Sequence, residues 1–361
     1  MGQDLNRLHV SAPGRICLFG EHQDYLHLPV IPCAISLRIS VSGKRRDDSI
    51  IYLNLPDIGD KKSFPVKKEL SYIEERDYFR SAINILQRDG FTFKNGFDCE
   101  VQGYIPINSG TSSSSALVVA WIGFLARMSD QSIELPPEKI AEYAHKAEVV
   151  EFSEPGGMMD HYSSAIGGVI FLDFRPKTVV EAIHVDLKTF VLGDSGEPKD
   201  TKSILARVKN QIIGITESMT LKFSDFSLRE LTVEDILKYD SELTDEQREL
   251  LVGTIRNYHI TQEAKRVLLS HPLDHKRMGE LLNEHQQICR DVLKISTPKI
   301  DRMIDAALGG GAYGGKINGS GGGGCMFVYA PEHPQKIAEA IEKEGGKAYI
   351  ISVDRGVMCD N

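Results

Sequence analysis

Residues 105 to 116 read Ile-Pro-Ile-Asn-Ser-Gly-Thr-Ser-Ser-Ser-Ser-Ala, a run of small and hydroxylated side chains. A β-like alternation leads into it, with Phe97, Cys99 and Val101 set against Asp98 and Glu100. The apolar segment Ala116-Leu-Val-Val-Ala-Trp-Ile-Gly-Phe-Leu-Ala leads out, long enough for a buried helix. Strand, small-residue loop and helix start together make an anion site. Free backbone N–H groups and the positive end of the helix dipole face the loop, and small side chains let a phosphate approach. Hydroxyls in such a loop also ligate magnesium. The competing reading is a Ser-rich surface linker, which the eleven almost wholly apolar residues that follow argue against.

Two other places gather side chains that do chemistry. Arg15, Glu21, His22 and Asp24 crowd a short segment beside apolar strands. Such a set can hold a polyol, or it can be a solvated charged turn. Further on, Glu154-Pro-Gly-Gly-Met-Met-Asp160-His161 is a Gly-rich turn that delivers an aspartate onto Tyr-Ser-Ser-Ala-Ile. Glu148 lies at the edge of the stripe formed by Ile140, Ala141, Ala144 and Ala147, where a carboxylate either looks inward or stays a solvated helix charge.

The elements that must position these residues follow from pattern. Residues 8–19, broken by Pro13-Gly14, and residues 30–41 read as strands, and 49–67 as a hairpin turning at Asp57-Ile-Gly-Asp. Tyr72 to Arg88 fits an amphipathic helix with Phe79, Ile83 and Leu86 on one stripe, and Pro136-Pro137 opens a helix to about Phe152. Gly167-Gly-Val-Ile-Phe-Leu-Asp-Phe closes the first half as a strand. A composition change near 175 to 185 divides the chain into domains of residues 1–180 and 181–361. The second half reads as a strand (184–193), then helices near 201–216, 228–238, 244–270, 276–294 and 298–308. The glycine-dense stretch 309–324 follows, then a strand from Cys325, a helix at 333–344 and a strand at 348–353. Within that stretch, Gly310-x4-Gly315-Lys316 lacks the Ser/Thr of a Walker loop, and Gly319-Ser-Gly-Gly-Gly-Gly324 precedes a strand where a dinucleotide motif needs a helix. Both matches are rejected in favour of a loop packed too closely for side chains.

At 361 residues, 41% hydrophobic and 26% charged, the composition is that of an ordinary globular protein. A net charge of −9 with no long basic block argues against a nucleic-acid partner. Six scattered cysteines without C-x-x-C read as reduced thiols. There is no basic-then-apolar leader, and no run nears the ~18 apolar residues of a membrane span. Cytoplasm is the expectation.

Three segments now align in order: Ala12-Pro-Gly-Arg-Ile-Cys-Leu-Phe-Gly-Glu-His-Gln-Asp-Tyr, the central Ile-Pro-x3-Gly-x-Ser-Ser-Ser-Ser-Ala, and Lys316-Ile-Asn-Gly-Ser-Gly-Gly-Gly-Gly-Cys. Together they resemble the GHMP small-molecule kinases, with the galactokinase branch nearest. Gly157-Met-Met-Asp160, Asn283-Glu-His-Gln-Gln and Gly311-Ala-Tyr-Gly-Gly-Lys agree with that branch. The resemblance implies an α+β, two-domain GHMP kinase fold, with a left-handed β-α-β unit in the N-terminal domain and a ferredoxin-like C-terminal domain. It implies ATP-dependent phosphorylation of a free sugar at its anomeric hydroxyl, with Asp160 and Arg15 catalytic. Ser114 and Glu148 would hold Mg2+, and Glu21, His22, Asp24 and Gly157 would contact the sugar. Gly110, Thr111, Ser112, Ser113, Ser114 and Ser115 would wrap the ATP phosphates, supported by Gly321, Gly322, Gly323 and Gly324. A monomer or weak dimer is expected.

The sequence also departs from that branch. Asn108, Ser109, Thr111 and Ser115 stand where Gly, Gly, Leu and Ala are usual. Gln23 replaces Thr, Leu26-His-Leu-Pro replaces Asn-Gly-Gly, and Ser203-Ile-Leu-Ala-Arg offers no tyrosine to the sugar. The alternatives are another sugar (arabinose, galacturonate, an amino sugar) or a non-catalytic sugar and ATP sensor on the same fold. An isoprenoid-pathway kinase is disfavoured by Arg15 and Asp24.

Overall fold

The computed structural model describes residues 7–107, 109–154, 156–198 and 201–360. The substitution at Asn108, Pro155 of the Gly-rich turn and the lead-in before Arg7 lie outside the described residues, as do the side chains of Ser203 and Leu205.

The first half is built on one sheet. Strands β1 (Leu8–Phe19) and β2 (Ile31–Arg45) form a long antiparallel pair whose register shifts between Pro13 and Arg15 and again between Cys17 and Phe19. β3 (Ile50–Leu55) and β4 (Asp60–Pro65) are the expected hairpin, joined by a tight turn at Pro56–Ile58. Helix α1 (Tyr78–Arg88) then carries the chain to β5 (Phe97–Gly103), which runs parallel to β3 and antiparallel to β2. α1 starts at Tyr78, not at Tyr72, because the Asp77 side chain accepts from the Arg80 amide and caps the helix there.

α2 (Ser113–Met128) follows the central loop and is apolar nearly all round, so it is buried nearly all round. Trp121 stacks on Phe124 at 5.4 Å and donates its indole N–H to the Phe79 carbonyl at 3.1 Å. α3 (Pro137–His145) continues into a single π turn at Lys146–Val150, and α4 (Met159–Ile166) follows the Gly-rich turn. β6 (Val169–Asp173) and β7 (Val179–Ile183) complete the sheet beside β2.

The second half has its own sheet. β8 (Phe190–Asp194) is followed by α5 (Thr201–Lys222), α6 (Asp245–Leu268), α7 (His275–Gln287) and α8 (Pro298–Gly310). Then come β9 (Gly314–Ile317), β10 (Cys325–Tyr329), α9 (Pro334–Lys343) and β11 (Lys347–Ile351). The order β11-β8-β10-β9, all antiparallel, with α8 and α9 in the connections, is the β-α-β-β-α-β arrangement of ferredoxin-like domains. Several expectations change here. Residues 184–189 are not strand, the 228–238 helix is a 3-10 run at Glu234–Glu242, and part of the glycine stretch is β9 itself. Among the described residues no helix is long and apolar enough to cross a membrane.

The chain is not cut cleanly at residue 180. β7 runs through that position, and a strand the sequence did not announce, β12 (Met358–Asp360), returns to pair with β1, Ser11 opposite Met358. Arg38 clamps this return. Its guanidinium donates to the Ser11 hydroxyl and carbonyl, to the Asp354 carboxylate at 2.8 Å, and to the carbonyls of Arg355 and Gly356. A planar fork with five donors is needed to reach so many acceptors at once. Arg38→Ala is therefore expected to cost about 2 kcal/mol of stability and to open residues 352–360 to protease. Arg38→Lys should recover less than half of it. Urea unfolding and limited proteolysis read both, and full rescue by lysine would refute the clamp.

Candidate active site

β1, the start of α2, the start of α4 and the β9–β10 loop meet around an open cavity of about 810 Å3. Arg15, Glu21, His22, Asp24, Gly110, Ser112, Ser113, Ser114, Ser115, Glu148, Gly157, Asp160 and Gly324 all line it. Residues from four separate stretches of sequence thus share one cavity. Thr111, Gly321, Gly322 and Gly323 do not reach its wall.

One end of the cavity is the start of α2. Ser112 precedes the helix in the left-handed region, φ 60°, and Ser113, Ser114 and Ser115, whose amides belong to the first helical turn, line the cavity. These amides have no intrahelical partner, and the helix dipole adds to their positive potential. Thr111 serves the loop from beneath. It is fully buried, and its hydroxyl lies 3.1 Å from that of Ser109, which donates to the Pro106 carbonyl. From the other domain, the Cys325 amide donates to the Ser109 carbonyl and the Asn318 side chain donates to the Gly110 carbonyl at 2.9 Å.

Asp160 sits in the first turn of α4 at the cavity floor. Arg15 Nε donates to its Oδ1 at 2.7 Å, and Arg15 Nη1 donates to the Gly110 carbonyl. The Arg15 side chain is 5% exposed and that of Asp160 is 31% exposed, so the carboxylate, not the guanidinium, faces the opening. Burial pushes the Asp160 carboxyl up, but the charge and hydrogen bond of Arg15 outweigh it and hold it below the usual carboxylate range.

The loop Gly20–Asp24 forms the far wall. Glu21 is turned inward: its Oε2 accepts from Lys316 Nζ at 2.8 Å and from the Gly319 amide at 3.0 Å. His22 places Nδ1 3.0 Å from the Tyr25 hydroxyl and Nε2 3.2 Å from the Ser320 carbonyl. Asp24 accepts from the Tyr25 amide and is pushed up to about 6, first by burial and then by the negative charges of Asp160 and Glu21. Gly157 backs onto it so closely that a Cβ would lie 1.8 Å from Asp24 Oδ2. Only glycine permits that approach.

Glu148 is buried in the π turn, and its Oε2 lies 2.8 Å from Nε2 of His161. Together with the Ser114 hydroxyl it offers oxygen donors on the cavity wall, which suits Mg2+, a cation that takes few protein ligands and completes its shell with phosphate and water. No cluster of three or more His, Cys, Asp or Glu ligands exists among the described residues, so a dedicated all-protein cage is not what this wall provides. The glycine run is structural in a specific way. Gly321 to Gly324 have φ of 84°, 75°, 126° and 74°, and side chains at the first three would strike Ile295, Ile204 and Glu197. Gly324 alone of the four reaches the cavity.

Three residues of this site were not singled out by sequence reasoning: Lys316, Asn318 and His161. Lys316 had a signal, its place in a rejected Walker-like match, but its partner lies 295 residues away. Asn318 links Cys17, Arg15 and Gly110, which no local pattern could reveal.

Comparison with known proteins gives the family. Residues 77–168 match the GHMP kinases N terminal domain, residues 266–347 match the GHMP kinases C terminal region, and residues 2–45 match the galactokinase galactose-binding signature. A mevalonate kinase of Thermococcus sibiricus is 30% identical over 358 residues, 97% of each chain. A galactokinase of Actinobacillus succinogenes is also 30% identical, over 97% of this chain and 94% of its own. Among solved structures, Lactococcus lactis galactokinase complexed with galactose superposes with a TM-score of 0.86 at 21% identity, covering 99% of this chain and 96% of that one. A mevalonate kinase structure gives 0.72 at 19% identity, covering 96% and 98%. The chain has the two-domain, α+β fold of these enzymes, and it belongs to the GHMP kinase family, whose members transfer a phosphoryl group from ATP.

Proposed function

We propose that this chain transfers the γ-phosphoryl group of ATP to the anomeric hydroxyl of a free sugar, as a galactokinase-like sugar 1-kinase. The observation that carries the reading is Asp160, a carboxylate open to the cavity, held ionised by Arg15, between the Gly20–Asp24 loop and the start of α2. The galactose-binding signature spans Glu21, His22 and Asp24, which supports a sugar at that wall.

Phosphoryl transfer asks mainly for positioning and charge neutralisation. The amides of Gly110 and of Ser112 to Ser115 would take the ATP phosphates, with Thr111 beneath them and Gly321 to Gly324 shaping the support behind that loop. Ser114 and Glu148 would hold Mg2+, which when bound neutralises phosphate charge. Arg15 is already committed to Asp160 and the Gly110 carbonyl, so its part is to lock the carboxylate to the loop. A carboxyl held below its usual range is a weak base, and orienting the sugar hydroxyl is then its larger contribution.

Relatives named mevalonate kinase are as similar over the whole chain as those named galactokinase. The cavity's charge favours the sugar. Arg15 and Arg76 are the only Lys or Arg side chains on its wall among the described residues, and they are paired with Asp160 and Glu154. Asp24 and Asp194 add negative charge nearby, while the charge of Glu21 is offset by Lys316. Among the described residues, an acceptor bearing its own carboxylate would meet no unpaired Lys or Arg on this wall, which is costly away from bulk water. That disfavours mevalonate and galacturonate and suits a neutral or amino sugar.

Coupled ADP release with Mg·ATP against galactose, arabinose, galactosamine, galacturonate and mevalonate tests the reading. Turnover on an uncharged or amino sugar is expected, and Asp160→Asn should lower it on the order of 10²- to 10⁴-fold while sugar and ATP still bind. Turnover on mevalonate alone would overturn the sugar, and binding without turnover in either form would leave a sensor. Asp24 makes a second test. Its ionised form accepts sugar hydroxyls, so kcat/KM should fall about tenfold per pH unit below about 6, and Asp24→Asn should abolish that limb. The folded protein holds this proton more tightly than the unfolded chain, so Asp24 lowers stability as pH rises from about 4 to about 6. Asp24→Asn should raise Tm at pH 7.5, and the gain should vanish below about pH 4.

A further inference from the structure

We propose that His161 is a positioning residue that fixes the Glu148 carboxylate for the divalent cation, through a hydrogen bond donated by its Nε2. This rests on the reading that Glu148 is a metal ligand and adds what sets that ligand's direction.

Glu148 stands in the π turn that interrupts the end of α3, where the extra residue changes the direction in which side chains leave the helix. A carboxylate on such a turn can rotate about three side-chain bonds, and a free rotor is a poor ligand. His161 removes that freedom. Its Nε2 lies 2.8 Å from Glu148 Oε2, its side chain is 2% exposed, and the next residue back in the same helical turn is Asp160. One turn of α4 therefore sets both the carboxylate that faces the acceptor and the donor that aims the metal-binding one.

The surroundings also choose the tautomer. Among the described residues His161 Nδ1 has no hydrogen-bond partner, and the buried ring sits edge-on to His145 at 5.4 Å. An N–H placed at Nδ1 would be an orphaned buried donor, and Nε2 would then present a lone pair to a carboxylate. With the proton on Nε2, the bond to Glu148 forms and only an acceptor is left unpaired, the less costly arrangement. Oε1 of Glu148 then stays free for the cation while Oε2 is held.

Mn2+ serves as the probe, titrated with a non-hydrolysable ATP analogue and read as free Mn2+ by electron paramagnetic resonance. His161→Leu keeps the volume and removes the donor, and about a tenfold or greater loss of Mn2+ affinity is expected. His161→Gln offers an amide donor of similar reach and should return the affinity to within about threefold of the parent. Affinity for the metal-free nucleotide should be the same in all three. Unchanged Mn2+ affinity in the leucine variant, or equal loss in both, overturns the proposal. If His161→Leu does not fold, His161→Asn, too short to reach Glu148, carries the same test with the same outcomes. Glu148→Gln separates the two levels. If it leaves Mn2+ affinity intact, the metal reading itself fails, and if it alone loses affinity, only the role of His161 does.

Discussion

The ion pair between Lys316 and Glu21 joins the two halves of this molecule. Lys316 is on β9 of the second sheet and Glu21 is just past β1 of the first, and their side chains are 0% and 4% exposed. Burying two charges is expensive unless every donor and acceptor is met. Here it is met: the ammonium donates to Glu21, to the Cys17 carbonyl and to the Ile317 carbonyl, which uses all three of its hydrogens. Burial alone would push the Lys316 ammonium down, yet the Glu21 charge holds it above its usual value, so the ammonium stays charged. Losing either partner would strand the other charge, at a cost of about 3–5 kcal/mol. The pair thus fixes the Gly20–Asp24 loop against the β9–β10 loop, and the cavity exists because those two loops cannot drift apart.

Around that anchor the site collects backbone conformations that are unfavourable in isolation. His22, Arg76 and Ser112 line the cavity and have positive φ without being glycine. Each costs about 1 kcal/mol or more and persists because the surroundings leave no alternative. Ser112 turns the chain into α2, whose first-turn serines line the cavity, and His22 bridges Tyr25 and Ser320. The strain is offset by the apolar mass behind it. α2 is buried along almost its whole length, and the second sheet presses the Ser109 and Gly110 carbonyls from the other side.

How much of this was legible in the sequence depends on the range of the interaction. The strand, loop and buried helix around residues 105–128 were readable because an apolar run after small capping residues is a local signal, and the hairpin at 50–65 because alternation and turn chemistry are local. The start of α1 was misplaced by periodicity, since Asp77 caps the helix where the hydrophobic pattern had already begun. β12 is three residues long and takes its identity wholly from β1 and Arg38, far away in the chain. Thr111 belongs by pattern to the phosphate loop but points down into it, because its hydroxyl is taken by Ser109. Gly321 to Gly323 were rightly suspected of close packing, yet what they pack against is Ile295, Ile204 and Glu197 and not the cavity. Contacts between residues hundreds of positions apart leave no periodic trace.

Equal identity to mevalonate kinases and galactokinases is what this architecture should produce. Most of the chain is occupied with tasks independent of the acceptor: the buried α2, the ferredoxin-like sheet and the Lys316–Glu21 anchor. Those tasks set overall similarity, and on the proposed reading the acceptor chemistry would be left to a few side chains at one wall. A scaffold that holds two acidic groups, Asp24 and Asp160, close enough for one to raise the other's pKa has built a wall suited to hydroxyl donors. Arg15 cannot relieve that charge, because releasing Asp160 would also release the Gly110 carbonyl and loosen the phosphate loop. The coupling between Asp160 and the Gly110–Ser115 loop therefore runs through Arg15. A change of acceptor charge in this fold requires a new cation at the wall, not a redirected old one.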